Sequence, residues 1–174
     1  MEVAAKSLLF YVKSKLDIRE FDSKPIPVQV ITEILEAARY TGSGKNLQHW
    51  RFVVIQDRKN IEKLAEDSIT GKWAINGTLA ILVLTDPSYD FHLLDAGRVV
   101  QNMQLVAWSH GIASGLFTRF DIEKLRRDFN IPEHLYPSAA VIFGYPPRKI
   151  IGKKARRPLR LLVFSEKFGE PFFK

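Results

Sequence analysis

The chain of 174 residues contains no cysteine. That excludes a disulfide framework, a thiolate nucleophile and any cysteine-based metal site. Long apolar runs are also missing. The opening segment MEVAAKSLLFYVKSK has only a short apolar patch, interrupted by Tyr11 and Lys13, and predicts neither a secretion signal nor a membrane span. There is no internal repeat, low-complexity tract or linker, so a single domain over 1–174 is expected. With 46% hydrophobic and 26% charged residues, the composition is that of a soluble globular protein, expected in the cytoplasm.

Acidic residues are scarce at one end. Residues 1–144 hold 17 Lys+Arg and 17 Asp+Glu, whereas 145–174 hold 9 and 2, so the C-terminal arm carries the whole net charge of +7. A basic arm can serve nucleic acid, an anionic membrane surface, or a single phosphate group. Nucleic-acid binders usually spread their charge over a face with interleaved aromatics or a recognition helix, and no such motif occurs. Neither nucleic acid nor membrane is therefore the expected partner.

Other chemistries are excluded by spacing. Among His49, His92, His110 and His134, no pair has the i, i+4 spacing with an intervening glutamate that a helical zinc site needs, so no metal is expected. His110 is placed at a helix C-terminus, where it meets the dipole. No G-x-S-x-G elbow exists, which counts against a hydrolase.

Periodicity supplies the elements. Helices are predicted over 3–16, 27–40, 58–66, 91–110 and from Asp121 to about Asn130; Ile31, Ile34, Leu35 and Ala38 give the cleanest i, i+3, i+4, i+7 pattern. Asp121 is a candidate N-cap, and Gly111 a helix stop. Strands are predicted at 52–55, 78–85 and 139–143, with a short one beginning at Leu116-Phe117. The uniformly apolar TLAILVLT (78–85) should be covered on both faces. This alternation predicts an α+β domain, a sheet between helical layers. Trp50, Trp73 and Trp108 are assigned to core or interface packing.

The segment TGSGKNLQHW (41–50) resembles a phosphate-binding loop only superficially. The motif G-x-x-x-x-G-K-[ST] needs glycine at Arg39 and a hydroxyl at Asn46. It also runs from strand to helix, so that the helix N-terminus faces the phosphates, and here a helix comes first. G-x-G-x-x-G fails as well, at Leu47. Gly42 and Gly44 read instead as the end of the preceding helix. Ser43, Asn46 and Gln48 offer donors and acceptors suited to a heteroaromatic edge, or simply form a polar turn.

The loop sits within a longer pattern. IREF (18–21), PIP (25–27) and ILEAARYTGSGKNLQHWRFVVI, then DAGRVVQNMQLVAWSHGIASG, FNIPEHLYPSAAVIFGYP and KKARRPLRLLVF, resemble in order the motifs of the nitroreductase family of flavin mononucleotide (FMN) oxidoreductases. The resemblance covers nearly the whole chain. It implies a mixed, mostly antiparallel sheet flanked by helices, and an intertwined homodimer with FMN sites at the subunit interface. It implies NADH or NADPH as electron donor and a quinone, nitroaromatic or related small molecule as acceptor, reduced through flavin N5 with no catalytic side chain. Dehalogenation, flavin fragmentation and dehydrogenation are alternatives within the fold. A basic flavin- or nucleic-acid-binding protein without turnover is the alternative outside it.

Matched to the family's motifs, Lys15 falls on the first phosphate contact, and Arg19 on the cation near the pyrimidine edge and ribityl chain. Gly42, Ser43, Gly44, Asn46 and Gln48 fall on the loop that the partner subunit presents to the flavin. Ser114 to Arg119, including Thr118, fall where main-chain amides approach the ring. Lys154 and Arg156 fall on a phosphate clamp, with Lys153, Arg157 and Arg160 left as solvated surface. Three cations converging on a phosphate dianion would make charge-assisted bonds.

Departures from the pattern are informative. Lys15-Leu16-Asp17 replaces R-R-S, so Asp17, counted among the cofactor-site residues, must turn away from the phosphate, pair with a cation, or weaken binding. His49 stands where proline is common. The chain leaves little room for lid insertions, which predicts an open site or one lidded by the partner. Phe168, Phe172 and Phe173 are expected to pack on that partner.

Overall fold

A computed structural model of the chain describes residues 7–150, 152 and 154–173. Helix α1 spans Leu8–Ser14, so positions 3–6 of the predicted first helix lie outside the described residues. It is followed by α2 (Val28–Arg39), β1 (Arg51–Ile55), α3 (Arg58–Glu66), β2 (Leu79–Thr85), α4 (His92–Ser109), β3 (Ala113–Phe117), α5 (Ile122–Phe129) and β4 (Tyr136–Gly144).

The strands order as β1-β2-β4-β3, and every ladder is antiparallel. The parallel component of the mixed sheet is an isolated bridge between Asp17 and Ser114. β2 is buried on both faces, as its apolar run requires. Leu79, Ile81 and Val83 face α2 and α4, together with Ile34, Val99 and Met103. Ala80, Leu82 and Leu84 face α3 and α5, together with Leu64 and Leu125. The sheet thus lies between two helical layers, as predicted.

The helix ends carry their local chemistry. Asp57 and Asp121 cap α3 and α5 by accepting from the N–H groups of Asn60 and Lys124. At Gly111 (φ +74°) the Gly111 N–H donates to Trp108 and the Ile112 N–H to Ala107, which closes α4 with paired carbonyls. His110 caps that helix, and its Nε2 lies 2.8 Å from Glu33.

Two expectations need correction. Strand β3 begins at Ala113 and ends, rather than begins, at Leu116-Phe117. Ser114 and Gly115 look like turn residues, yet a Cβ on Gly115 would lie 2.6 Å from the Ile18 carbonyl oxygen and 2.7 Å from Trp73. The strand is glycine there because another segment presses on it. The end of α2 is likewise not made by Gly42 and Gly44. The helix stops at Arg39, with Tyr40 as C-cap, and neither glycine has positive φ. The left-handed residues are Lys45, Asn46 and Gln48. The glycines supply space instead: a Cβ would lie 2.6 Å from Arg98 at Gly42 and 2.4 Å from the Phe91 ring at Gly44.

Candidate functional site

Lys15 is the C-cap of α1 and is only 5% exposed. Its ammonium donates to Asp17 at 2.7 Å and to Gln104 on α4 at 2.9 Å. The Gln104 amide in turn donates to Asp17 at 3.3 Å. Asp17 has therefore paired with a cation, one of the expected outcomes. The Ile18 N–H donates to the Ser114 carbonyl at 2.9 Å, so this segment is clamped to β3.

The basic arm returns to the same corner. Lys154 Nζ donates to the Val12 carbonyl at 2.6 Å. Lys154 and Arg156 line a cleft of about 580 Å³ with Val12, Lys13 and Gly152. Burial, and then the charges of Arg156 and Lys15, push the Lys154 pKa below the ordinary lysine value. Cations held together against their own repulsion make a ready anion site. Lys153 lies outside the described residues; Arg157 and Arg160 are exposed.

Gln104 also lines a second cavity, of about 420 Å³, between α4, β3 and β4. Leu116, Thr118, Val100, Ala96 and Ser138 form much of its wall. Ser114 is buried within β3, and Thr118 stands just past that strand. The Lys15 corner and the cavity thus share a buried glutamine. Arg19 takes a different position: exposed, with its guanidinium 5.3 Å from the Trp73 ring centre, on the wall of a neighbouring cleft with Asp17 and Pro146.

The 42–48 loop is a separate piece. Ser43 Oγ accepts from the Gln48 N–H at 3.0 Å, and the Gln48 amide donates to Asn46 Oδ1 at 3.2 Å. The Gly44 N–H donates to Asp95 Oδ2 at 2.9 Å, which fixes the loop to the first turn of α4. Asp95 and Gln104 are nine residues apart on that helix, about 13 Å of rise. Within one chain, therefore, the loop does not join the Lys15 corner.

The family model for the nitroreductase family matches residues 12–82 and 72–145. The chain belongs to the nitroreductase family. A Methanothermobacter thermautotrophicus protein with the provisional name NADH dehydrogenase/NAD(P)H nitroreductase is 31% identical over 153 residues, covering 83% of this chain and 80% of its own. The crystal structure of an FMN-dependent nitroreductase from Clostridium difficile superposes with a TM-score of 0.83 at 22% identity, over 92% of this chain and 99% of that one. A Parabacteroides distasonis structure, provisionally named like the Methanothermobacter protein, reaches a TM-score of 0.86 at 22% identity, over 94% and 100%. At such identities these structures establish the fold.

Three residues of this candidate site were not singled out from sequence: Gln104, Asp95 and Ser138. Gln104 and Asp95 are polar residues on the buried face of α4, each about 1% exposed, and that misplaced polarity was the available signal. His49, noted only as a departure from proline, has Nε2 3.2 Å from Asp95 Oδ2. Its Nδ1 faces the Asp86 N–H at 3.4 Å, so the proton belongs on Nε2. Among the described residues no helix is long and apolar enough to cross a membrane.

Proposed function

We propose that this nitroreductase is an FMN-dependent oxidoreductase that takes electrons from NADH or NADPH and passes them to a quinone, a nitroaromatic or a related small acceptor. The observation that carries this reading is the corner at Lys15, whose ammonium donates to Gln104 on the wall of the cavity of about 420 Å³ and whose charge is felt by Lys154, which lines the neighbouring cleft with Arg156. A cofactor with a phosphate on a short tail and a planar, hydrogen-bonding ring fits both halves. Bound there, the flavin supplies the two-electron carrier.

The chain's own residues bind and orient. Lys15, Lys154 and Arg156 hold the phosphate dianion through charge-assisted bonds. The backbone around Ser114 and Thr118 lies along the ring. Arg19, on the wall of the neighbouring cleft with Asp17, supplies positive charge at the edge of the site, which favours the reduced, anionic ring. The loop with Gly42, Ser43, Gly44, Asn46 and Gln48 closes the site from the second subunit of a homodimer. Two features support the dimer: the loop's separation from Lys15 within one chain, and the exposed apolar side chains Leu93, Leu94, Phe168 and Phe172, exposed by 55%, 67%, 91% and 58%. Catalysis rests on positioning and electrostatics.

Arg156→Ala tests the phosphate clamp. Loss of one charge-assisted bond of about 1.5–3 kcal/mol should weaken FMN binding roughly tenfold or more. Unchanged affinity in a fluorescence titration rejects the clamp.

A further inference from the structure

The ladder between β2 and β4 slips between Val83 and Leu84. Val83 pairs with Ala139 but Leu84 with Pro137, so Ser138 is the extra residue of a β-bulge. A bulge re-aims a side chain, and Ser138 and the adjacent Ala139 both line the cavity between α4, β3 and β4. Ser138 Oγ lies 2.6 Å from Thr85 Oγ1, and Thr85 Oγ1 lies 2.8 Å from His92 Nδ1. Ser138 and Thr85 are 5% and 0% exposed. His92, the first residue of α4, is half-buried and meets the Tyr136 ring edge-on.

Ser138 and Thr85 can each donate and accept and His92 Nδ1 can do either, and one direction of donation satisfies all three contacts. Ser138 makes a long contact of 3.5 Å to the Tyr136 carbonyl, which only accepts. Ser138 Oγ is then free to accept from the Thr85 hydroxyl, and Thr85 Oγ1 accepts from His92 Nδ1–H. In that direction donation runs from His92 through Thr85 to Ser138, which lines the cavity. The last link, at 3.5 Å, is the weakest, and an acceptor entering the cavity displaces it at least cost.

We propose that His92, Thr85 and Ser138 form a proton-supply chain from solvent to the acceptor reduced in this cavity. The inference rests on the function proposed above. A quinone that takes two electrons gains one hydride and one proton; the hydride originates on the nicotinamide, and the proton needs a separate source. Ser138 O–H breaks as the product O–H forms. The Ser138 oxygen takes the Thr85 proton, Thr85 takes the proton from His92 Nδ1, and His92 regains one at Nε2 from water. Ser138 faces the acceptor, while Thr85 and His92 act through it as positioning residues. The groups that face His92 are Thr85 and Asp86 at the end of β2, Tyr136 on β4 and His49 before β1. Burial first, and then His49, lower its pKa against the opposing effect of Asp86, which favours the neutral ring that a tautomeric relay uses.

Histidine nitrogen NMR of the purified protein supplies a readout independent of turnover. Wild-type His92 should be neutral with its proton on Nδ1, and in Thr85→Val the proton should move to Nε2. Stopped-flow absorbance of the FMN-loaded protein supplies the second, with NADH or NADPH as reductant and benzoquinone as oxidant. The ratio of reoxidation rate to reduction rate should fall about a hundredfold in Ser138→Ala and Thr85→Val, the low end of general-acid effects. Thr85→Ser, which keeps the hydroxyl, should restore it. A wild-type His92 protonated on Nε2 alone, or an unchanged ratio in both blocking variants, overturns the relay and leaves the oxidoreductase reading intact. A flavin that no nicotinamide reduces overturns both.

Discussion

Lys15 Nζ lies 2.7 Å from Asp17 Oδ1, so the buried ammonium is already paired with a carboxylate. Asp17 compensates Lys15 and, in the function proposed above, competes with the FMN phosphate for it. Asp17→Asn keeps an acceptor for Lys15 and removes the negative charge. FMN affinity should rise about three- to tenfold at low ionic strength, with the gain shrinking as salt is added. Calorimetric titration measures this; equal or weaker binding would mean that Asp17 does not oppose the phosphate.

Lys154 gives the site a pH dependence. Its pKa is held below the ordinary 10.5, first by burial and then by Arg156 and Lys15. A bound phosphate dianion raises it again, so the bound-state pKa exceeds the free-state one. The attraction is then fully present below the free-state pKa and is lost as pH rises through the bound-state value. FMN affinity should decline on the alkaline side, beginning below the ordinary lysine pKa. In Lys154→Arg, whose charge persists, the decline should flatten. Fluorescence titrations across that range check both curves.

Asp95 anchors the 42–48 loop through buried bonds. It accepts from the Gly44 N–H at 2.9 Å and from Arg98 at 3.3 Å, and its Oδ2 lies 3.2 Å from His49 Nε2. Asp95→Ala leaves the Gly44 and His49 donors unpaired, at about 1–3 kcal/mol each. Urea unfolding should show a loss of at least about 1 kcal/mol. A loss within a few tenths would show that water replaces the carboxylate.

Gly97 tests the dimer. A Cβ there would meet nothing within 4 Å, so nothing within one chain requires glycine in the middle of α4. Glycine costs a helix interior roughly 0.5–1 kcal/mol relative to alanine. Close approach of the second subunit proposed above, along the face with Leu93 and Gln101, would account for that cost. Gly97→Leu should shift the protein toward monomer in analytical ultracentrifugation and release FMN with it. A variant that stays dimeric with full FMN would place the interface elsewhere.

What was legible in the sequence follows from where the determining forces act. The β2 run TLAILVLT is apolar throughout because both its faces are covered, and α2 repeats with the helix period because one stripe is buried. Those patterns are local. The start of β3 was not legible, because Gly115 answers to the Ile18 carbonyl and Trp73, which lie far along the chain. Gly42 and Gly44 were misread as a helix stop because sequence cannot show the Arg98 and Phe91 side chains that lie against them. For the site, the charge asymmetry and the family motifs pointed to Lys15, Lys154 and Arg156. The Asp17–Gln104 pairing and the bulged Ser138 depend on contacts across elements, and lone polar residues in apolar segments were their only trace.

The visible spectrum of the purified protein supplied with FMN, without oxygen, as NADH or NADPH is added, decides whether the chain carries a working flavin. The account predicts an oxidised-flavin spectrum that stays with the protein through gel filtration and bleaches with one of the nicotinamides. A colourless protein that takes up no FMN, or a bound flavin that neither nicotinamide bleaches, would contradict it.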